Sequence, residues 1–84
     1  MNIQRIIPGS RMSQAVIHGD KFYSAGVVAD DPTADVAGQT SQILKKIDDL
    51  LHAGGTDKTK ILMTNIWLSN IEYYNEMNSI WDAW

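Results

Sequence analysis

Between Thr33 and Ala53 the apolar residues fall at Val36, Ile43, Leu44, Ile47, Leu50 and Leu51, with the small Thr40 in the gap. These offsets trace one stripe on a 3.6-residue period and predict an amphipathic helix. Gln39, Gln42, Lys45, Lys46 and Asp49 occupy the opposite, wet face. Thr33 is the expected N-cap, Asp35 suits the positive first turn, and Gly54-Gly55 supplies the stop. A helix of about 20 residues spans roughly 30 Å, enough to cover a small sheet. Gly38 costs up to about 1 kcal/mol inside such a helix and predicts close approach of a neighbouring backbone.

A second helix is expected from Ile71 to Trp84, capped by Asn70 or Ser69. Tyr74, Met77, Trp81 and Trp84 share one face, Tyr73 and Ile80 widen it, and Glu72, Glu76 and Asp82 keep a polar edge. No glycine or basic residue closes this pattern, which still runs at Trp84.

Strands are predicted elsewhere. Ile3 to Ile7 is stopped by Pro8-Gly9-Ser10, and Ala15–His18 and Lys21–Val28 flank a Gly19-Asp20 hairpin turn. Ile61 to Leu68 is the most apolar run and is expected to be a central strand. The order βββαβα predicts an α+β fold with its helices on one sheet face.

The 84 residues allow one small domain. With 44% hydrophobic and 20% charged residues, the chain has a globular balance rather than that of a disordered tail. A net charge of −3 counts against nucleic acid as the main partner. No apolar run approaches the roughly 20 residues of a membrane span, and Met1-Asn2-Ile3-Gln4-Arg5 lacks a secretory layout. The absence of cysteine removes disulfides and thiolate chemistry and fits a cytoplasmic location. So short a chain buries only about 60–65% of its unfolded surface. Its three Trp, three Tyr and one Phe therefore point to a subunit interface.

The chemical candidates are few. Ser24-Ala25-Gly26 resembles the end of a nucleophile elbow, but Phe22 replaces its first glycine and no His-Asp pair supports Ser24. His18 reads as a solvated turn residue and His52 as a cation at a helix C-terminus. Their spacing gives no metal motif, and none is expected. Asp30, Asp31 and Asp35 lack the alternating oxygen ligands and closing Glu of a calcium loop. Gly54-Gly55 ends a helix where a phosphate loop would begin one. Gly26 is more suggestive. It follows the aromatic pair Phe22-Tyr23 at a strand end, where a glycine either forms a bulge or lets a small anion or carbonyl oxygen approach the backbone.

The runs Y-S-A-G-V at Tyr23–Val27, A-D-V-A-G-Q-T at Ala34–Thr40 and L-L-H-A-G-G-T at Leu50–Thr56 occur in this order. With the continuation from Ile61 to Trp84, they resemble the Rid family of YjgF-type reactive-intermediate deaminases, also labelled L-PSP endoribonuclease-like. M-N-x-x-W-D-A-W is similar to the YoaB-like branch. The resemblance covers nearly the whole chain. It implies a chorismate-mutase-like α+β fold, a βββαβα core on a mixed sheet, and a homotrimer with clefts between subunits. It further implies hydrolysis of imines or enamines such as 2-aminoacrylate to 2-keto acids and ammonia, without metal or organic cofactor. In the family an arginine holds the substrate carboxylate, backbone N–H groups assist, and an acidic residue near the C-terminus positions water.

Carried over residue by residue, Gly26 matches the turn glycine, Asn78 the asparagine of the second helix, and Ser13-Gln14-Ala15 a near-N-terminal segment. Ala25 stands where better-known members have serine, and Met12 where they have a cleft-lining tyrosine. Gly26, Ala25, Asn78 and Met12 are thus the expected substrate-binding positions, with no catalytic residue assigned. The resemblance also implies that the chain ends before a P-x-R-x-x-V strand and a final strand bearing the acidic residue. Arg5 and Arg11 are its only arginines, and neither matches the carboxylate clamp. The expectation is an imine deaminase fold, inactive as these residues alone, with a small imine or keto acid as ligand. The alternative is a non-catalytic trimeric module that binds a small metabolite or regulates a partner. A ribonuclease is disfavoured by the acidic balance and the lack of a histidine pair.

Overall fold

A computed structural model of the chain describes residues 2–84; Met1 lies outside the described residues. Strands β1 (Ile3–Pro8), β2 (Ser13–His18) and β3 (Lys21–Ser24) form an antiparallel sheet in the order β1-β2-β3. The predicted turn closes β2 onto β3, with His18 opposite Lys21 and Gly19 at φ 64°, a left-handed conformation that suits glycine. Ile6 faces Ala15 and Ile17 faces Phe22 across the ladders. The strand alternation turns all four to one side.

Helix α1 (Val36–Ala53) covers that side. Ile6, Ala15 and Leu50 are buried together, with Ile17, Phe22 and Val27 packed against them. The cap is Asp35 rather than Thr33: the Asp35 carboxylate accepts from the Gly38 N–H at 2.7 Å. Thr33 instead donates its N–H and hydroxyl to Asp31, at 3.0 and 2.5 Å, closing a side-chain turn ahead of the helix. The same carboxylate explains Gly38. A Cβ there would lie 3.0 Å from Asp35 Oδ1, so the close neighbour is the capping side chain and not another backbone. At the other end Gly55 N–H donates to the His52 carbonyl and Thr56 N–H to that of Leu51, both at 3.0 Å. With Gly55 at φ 77° this is a Schellman closure. A Cβ on Gly54 would stand 2.6 Å from the Phe22 ring, so the helix end seats directly on β3.

A 3-10 turn at Ile71–Tyr73, capped by Asn70 Oδ1 accepting from Glu72 N–H at 2.9 Å, leads into α2 (Tyr74–Ala83). α2 packs on α1, and Met77 is its buried residue. Trp84 donates its indole N–H to Asp48 at 2.8 Å and meets Trp81 edge to face at 5.4 Å. The Lys58 ammonium sits 4.9 Å from the Trp84 ring centre and donates to the Trp84 carbonyl.

Two strand expectations need correction. β3 ends at Ser24 instead of Val28, because the chain leaves the ladder after Ala25 and Val27 turns into the core. Ile61–Leu68 forms no strand, so the sheet of the described residues is antiparallel and not mixed. The run is apolar enough for a strand, but a ladder needs a neighbour, and none of the described strands lies alongside it. Its side chains up to Trp67 stand in the open, with Leu62 84% and Trp67 90% exposed, and Leu68 is half-buried.

Candidate functional site

The end of the β2–β3 hairpin opposite its turn is where three expected site residues meet. Ala15 pairs with Ser24, and Ala25 N–H extends the ladder by donating to the Gln14 carbonyl at 2.9 Å. Gly26 follows where the chain leaves the ladder, and Met12 directly precedes β2 at the same end of the hairpin, its carbonyl accepting from Gly9 N–H at 2.6 Å. Met12 is exposed, Ala25 half-buried and Gly26 exposed. A Cβ on Gly26 would meet nothing within 4 Å. Its N–H has no protein acceptor among the described residues. Neither crowding nor a left-handed turn therefore accounts for the glycine. Its N–H is left without a protein partner at an exposed position, where a ligand oxygen could accept from it.

The backbone at this end is strained. Ile7, the next-to-last residue of β1, has φ 48°, a left-handed value that a β-branched side chain disfavours. Strain of this kind persists only where the surroundings enforce it, and it concentrates at functional sites.

Asn78 lies elsewhere. It is half-buried on α2 and lines an open groove of about 480 Å³ with Ile66, Trp67, Leu68, Ile71, Tyr74 and Met77. Met12, Ala25 and Gly26 contribute nothing to that groove. One copy of the chain thus gathers three of the four expected residues at a sheet end and holds the fourth in a separate apolar groove. The wall supplied by Trp67 and Ile71 was not anticipated. Its one sequence signal was the absence of any charge from Ile61 to Ile71.

The arginines do not fill the gap. Arg5 pairs with Val16 on β1, which turns it to the sheet face opposite Ile6, and Arg11 is exposed beside Met12. His18 ends β2 and His52 lies in the last turn of α1, as the sequence indicated. No group of three metal-ligating side chains occurs among the described residues. The segment from Gly26 to Asp35 is tied to α1. Lys46 Nζ donates to the Val28 carbonyl at 2.9 Å and pairs with Asp30 at 2.6 Å, and Gln42 Oε1 accepts from Asp31 N–H at 3.0 Å. Hydrogen bonds from the Thr33 hydroxyl and N–H hold the Asp31 carboxyl below its ordinary pKa, and those from Thr59 do the same at Asp57.

The family model for endoribonuclease L-PSP matches residues 2–84. The chain belongs to this family. Among L-PSP relatives, a RutC family protein from Haemophilus ducreyi is 42% identical over 82 residues, covering 98% of this chain and 70% of the relative. The RutC family protein YoaB of Escherichia coli is 38% identical, covering 100% of this chain and 73% of its own length. The human 2-iminobutanoate/2-iminopropanoate deaminase is 32% identical over 75 residues, which make up 82% of this chain and 55% of that protein. A crystal structure of a YjgF family member from Neisseria meningitidis superimposes with a TM-score of 0.91 at 34% identity, spanning 100% of this chain and 70% of that one. The α+β L-PSP fold is therefore shared even where Ile61–Leu68 has no ladder. No helix among the described residues is long and apolar enough to cross a membrane.

Proposed function

We propose that this L-PSP family chain forms part of a cytoplasmic, homotrimeric hydrolase of reactive 2-imino acids. Water adds to the C=N carbon of 2-iminobutanoate or 2-iminopropanoate, and the tetrahedral adduct expels ammonia to leave the 2-keto acid. No metal or organic cofactor takes part in this reading. The free Gly26 N–H donates to the substrate and orients it, Ala25 and Met12 form the adjoining wall, and Asn78 shapes the cleft.

The observation that carries this reading is the separation of Asn78 from the Met12–Ala25–Gly26 end. A cleft between two copies would join surfaces that one copy keeps apart. The distant human relative's deaminase activity supports the reaction class. Neither Arg5 nor Arg11 stands at the position the family resemblance gives to the carboxylate-binding arginine of this Rid-like domain. Without the cation the substrate loses a charge-assisted contact and its orientation. These 84 residues alone should release ammonia from freshly generated 2-aminoacrylate no faster than buffer. Semicarbazide trapping, run beside a version extended by the P-x-R-x-x-V strand, tests this. Activity in the extended form alone supports the assignment, and full activity in the short form refutes it.

A second reading, a trimeric module that binds a metabolite without turning it over, draws on Ala25 and Met12, which present a methyl group and a thioether where better-known members present hydroxyls. Thermal shifts with 2-keto acids, with no turnover in the extended form, would favour it.

A further inference from the structure

We propose that Lys46 is the positioning residue of the Gly26 segment, an assignment that rests on reading Gly26 as a substrate contact. After Ala25 the chain has left the sheet, and no backbone hydrogen bond orders Gly26, Val27 or Val28 among the described residues. Contacts of three side chains do so instead. Val27 packs on the Ile6–Ala15–Leu50 cluster, and Lys46 reaches from α1 to the Val28 carbonyl at 2.9 Å. The same ammonium pairs with Asp30 at 2.6 Å. Gln42, one helical turn before Lys46, accepts from the Asp31 N–H at 3.0 Å. The peptide units around Gly26 are thus held between the sheet at Ala25 and the helix at Val28.

A surface ion pair alone would fix little, because two long exposed side chains remain free to separate. The contact to the Val28 carbonyl is different. It aims a charged donor at a backbone oxygen two residues from Gly26, so it sets the direction of the peptide chain there. The Lys46 side chain is only 36% exposed, against 77% for its neighbour Lys45, which pairs with Asp49 on the wet face. One lysine is anchored under the loop while the adjacent one is solvated.

Amide spectra and hydrogen exchange of the 84-residue chain test the proposal with Lys46→Met, Lys46→Arg and Asp30→Asn. Lys46→Met should move the Gly26–Asp30 resonances and speed exchange at Asp31 about 10-fold, leaving β1 and β2 unchanged. Lys46→Arg should restore the pattern, and Asp30→Asn should change it less than Lys46→Met does. Titration of the version extended by the P-x-R-x-x-V strand with millimolar 2-oxobutanoate, a stable keto-acid probe, should shift the Gly26 amide with an apparent Kd about 5-fold weaker in Lys46→Met. A Gly26–Asp31 segment unaltered by Lys46→Met overturns the proposal. A loop that is released while Gly26 ignores the keto acid in every variant of the extended form instead overturns Gly26 as the contact, and substrate positioning with it.

Discussion

Residues 3–56 and residues 57–84 are similarly rich in apolar side chains, yet they use them differently. In the first region a two-residue turn brings complementary strands together, and α1 seals their apolar face with Leu50. In the second region the most apolar run of the chain, Ile61–Leu68, forms no regular element and leaves Leu62, Met63 and Trp67 in the open. Hydrophobicity alone does not make a strand; a partner backbone does. The second region is tied down where α2 packs on α1 and where Trp84, just past α2, donates to Asp48. The Gly26 end of the candidate site belongs to the self-sufficient region and Asn78 to the dependent one.

The largest test of this contrast pairs two leucine truncations. Leu50→Ala removes a buried side chain at the junction of sheet and helix and should cost about 2–4 kcal/mol in urea unfolding. Leu62→Ala, at an 84% exposed position, should stay within about 0.5 kcal/mol. Equal losses would erase the distinction. Gly54→Ala comes next. It drives a methyl group to 2.6 Å from the Phe22 ring and should cost about 1–3 kcal/mol, read as a lower Tm. Ile7→Asn should act in the opposite direction. Asparagine tolerates the left-handed backbone at φ 48°, so stability should rise by about 1 kcal/mol at this exposed position.

The smallest effect concerns acid. Asp31 and Asp57 have folded pKa values below their unfolded ones. Their contribution is therefore fully present above the unfolded carboxylate pKa of about 3.9 and is lost as pH falls through the lower folded values. Asp31→Asn should lower the urea midpoint slightly at neutral pH, and the gap to wild type should close in acid. A gap that widened on acidification would reverse the sign.

The sequence carried the first region well because its signals are local. Gly19-Asp20 marked the turn, the Leu44–Leu51 stripe marked α1, and Gly54-Gly55 marked its end. The cap was misplaced by two residues because Thr33 and Asp35 both have capping side chains, and only the backbone geometry chooses between them. Ile61–Leu68 misled because strand propensity reports a residue's fitness for a pleated surface and says nothing about whether one is available. At the site, the resemblance picked out Met12, Ala25, Gly26 and Asn78, but their division between a sheet end and a groove depends on tertiary placement. Lys46 gave no signal at all. It reads as one of two wet-face lysines until its contact to Val28, 18 residues away, is seen.

The contrast between the two regions is tested most directly by residue-resolved amide hydrogen exchange on the 84-residue chain. Amides of β2 and of the middle of α1 should be strongly protected, while those of Leu62–Leu68 should exchange near the rate of an unstructured peptide. Protection at Leu62–Leu68 matching that of β2 would contradict it, because the segment would then have found the ladder partner it lacks here.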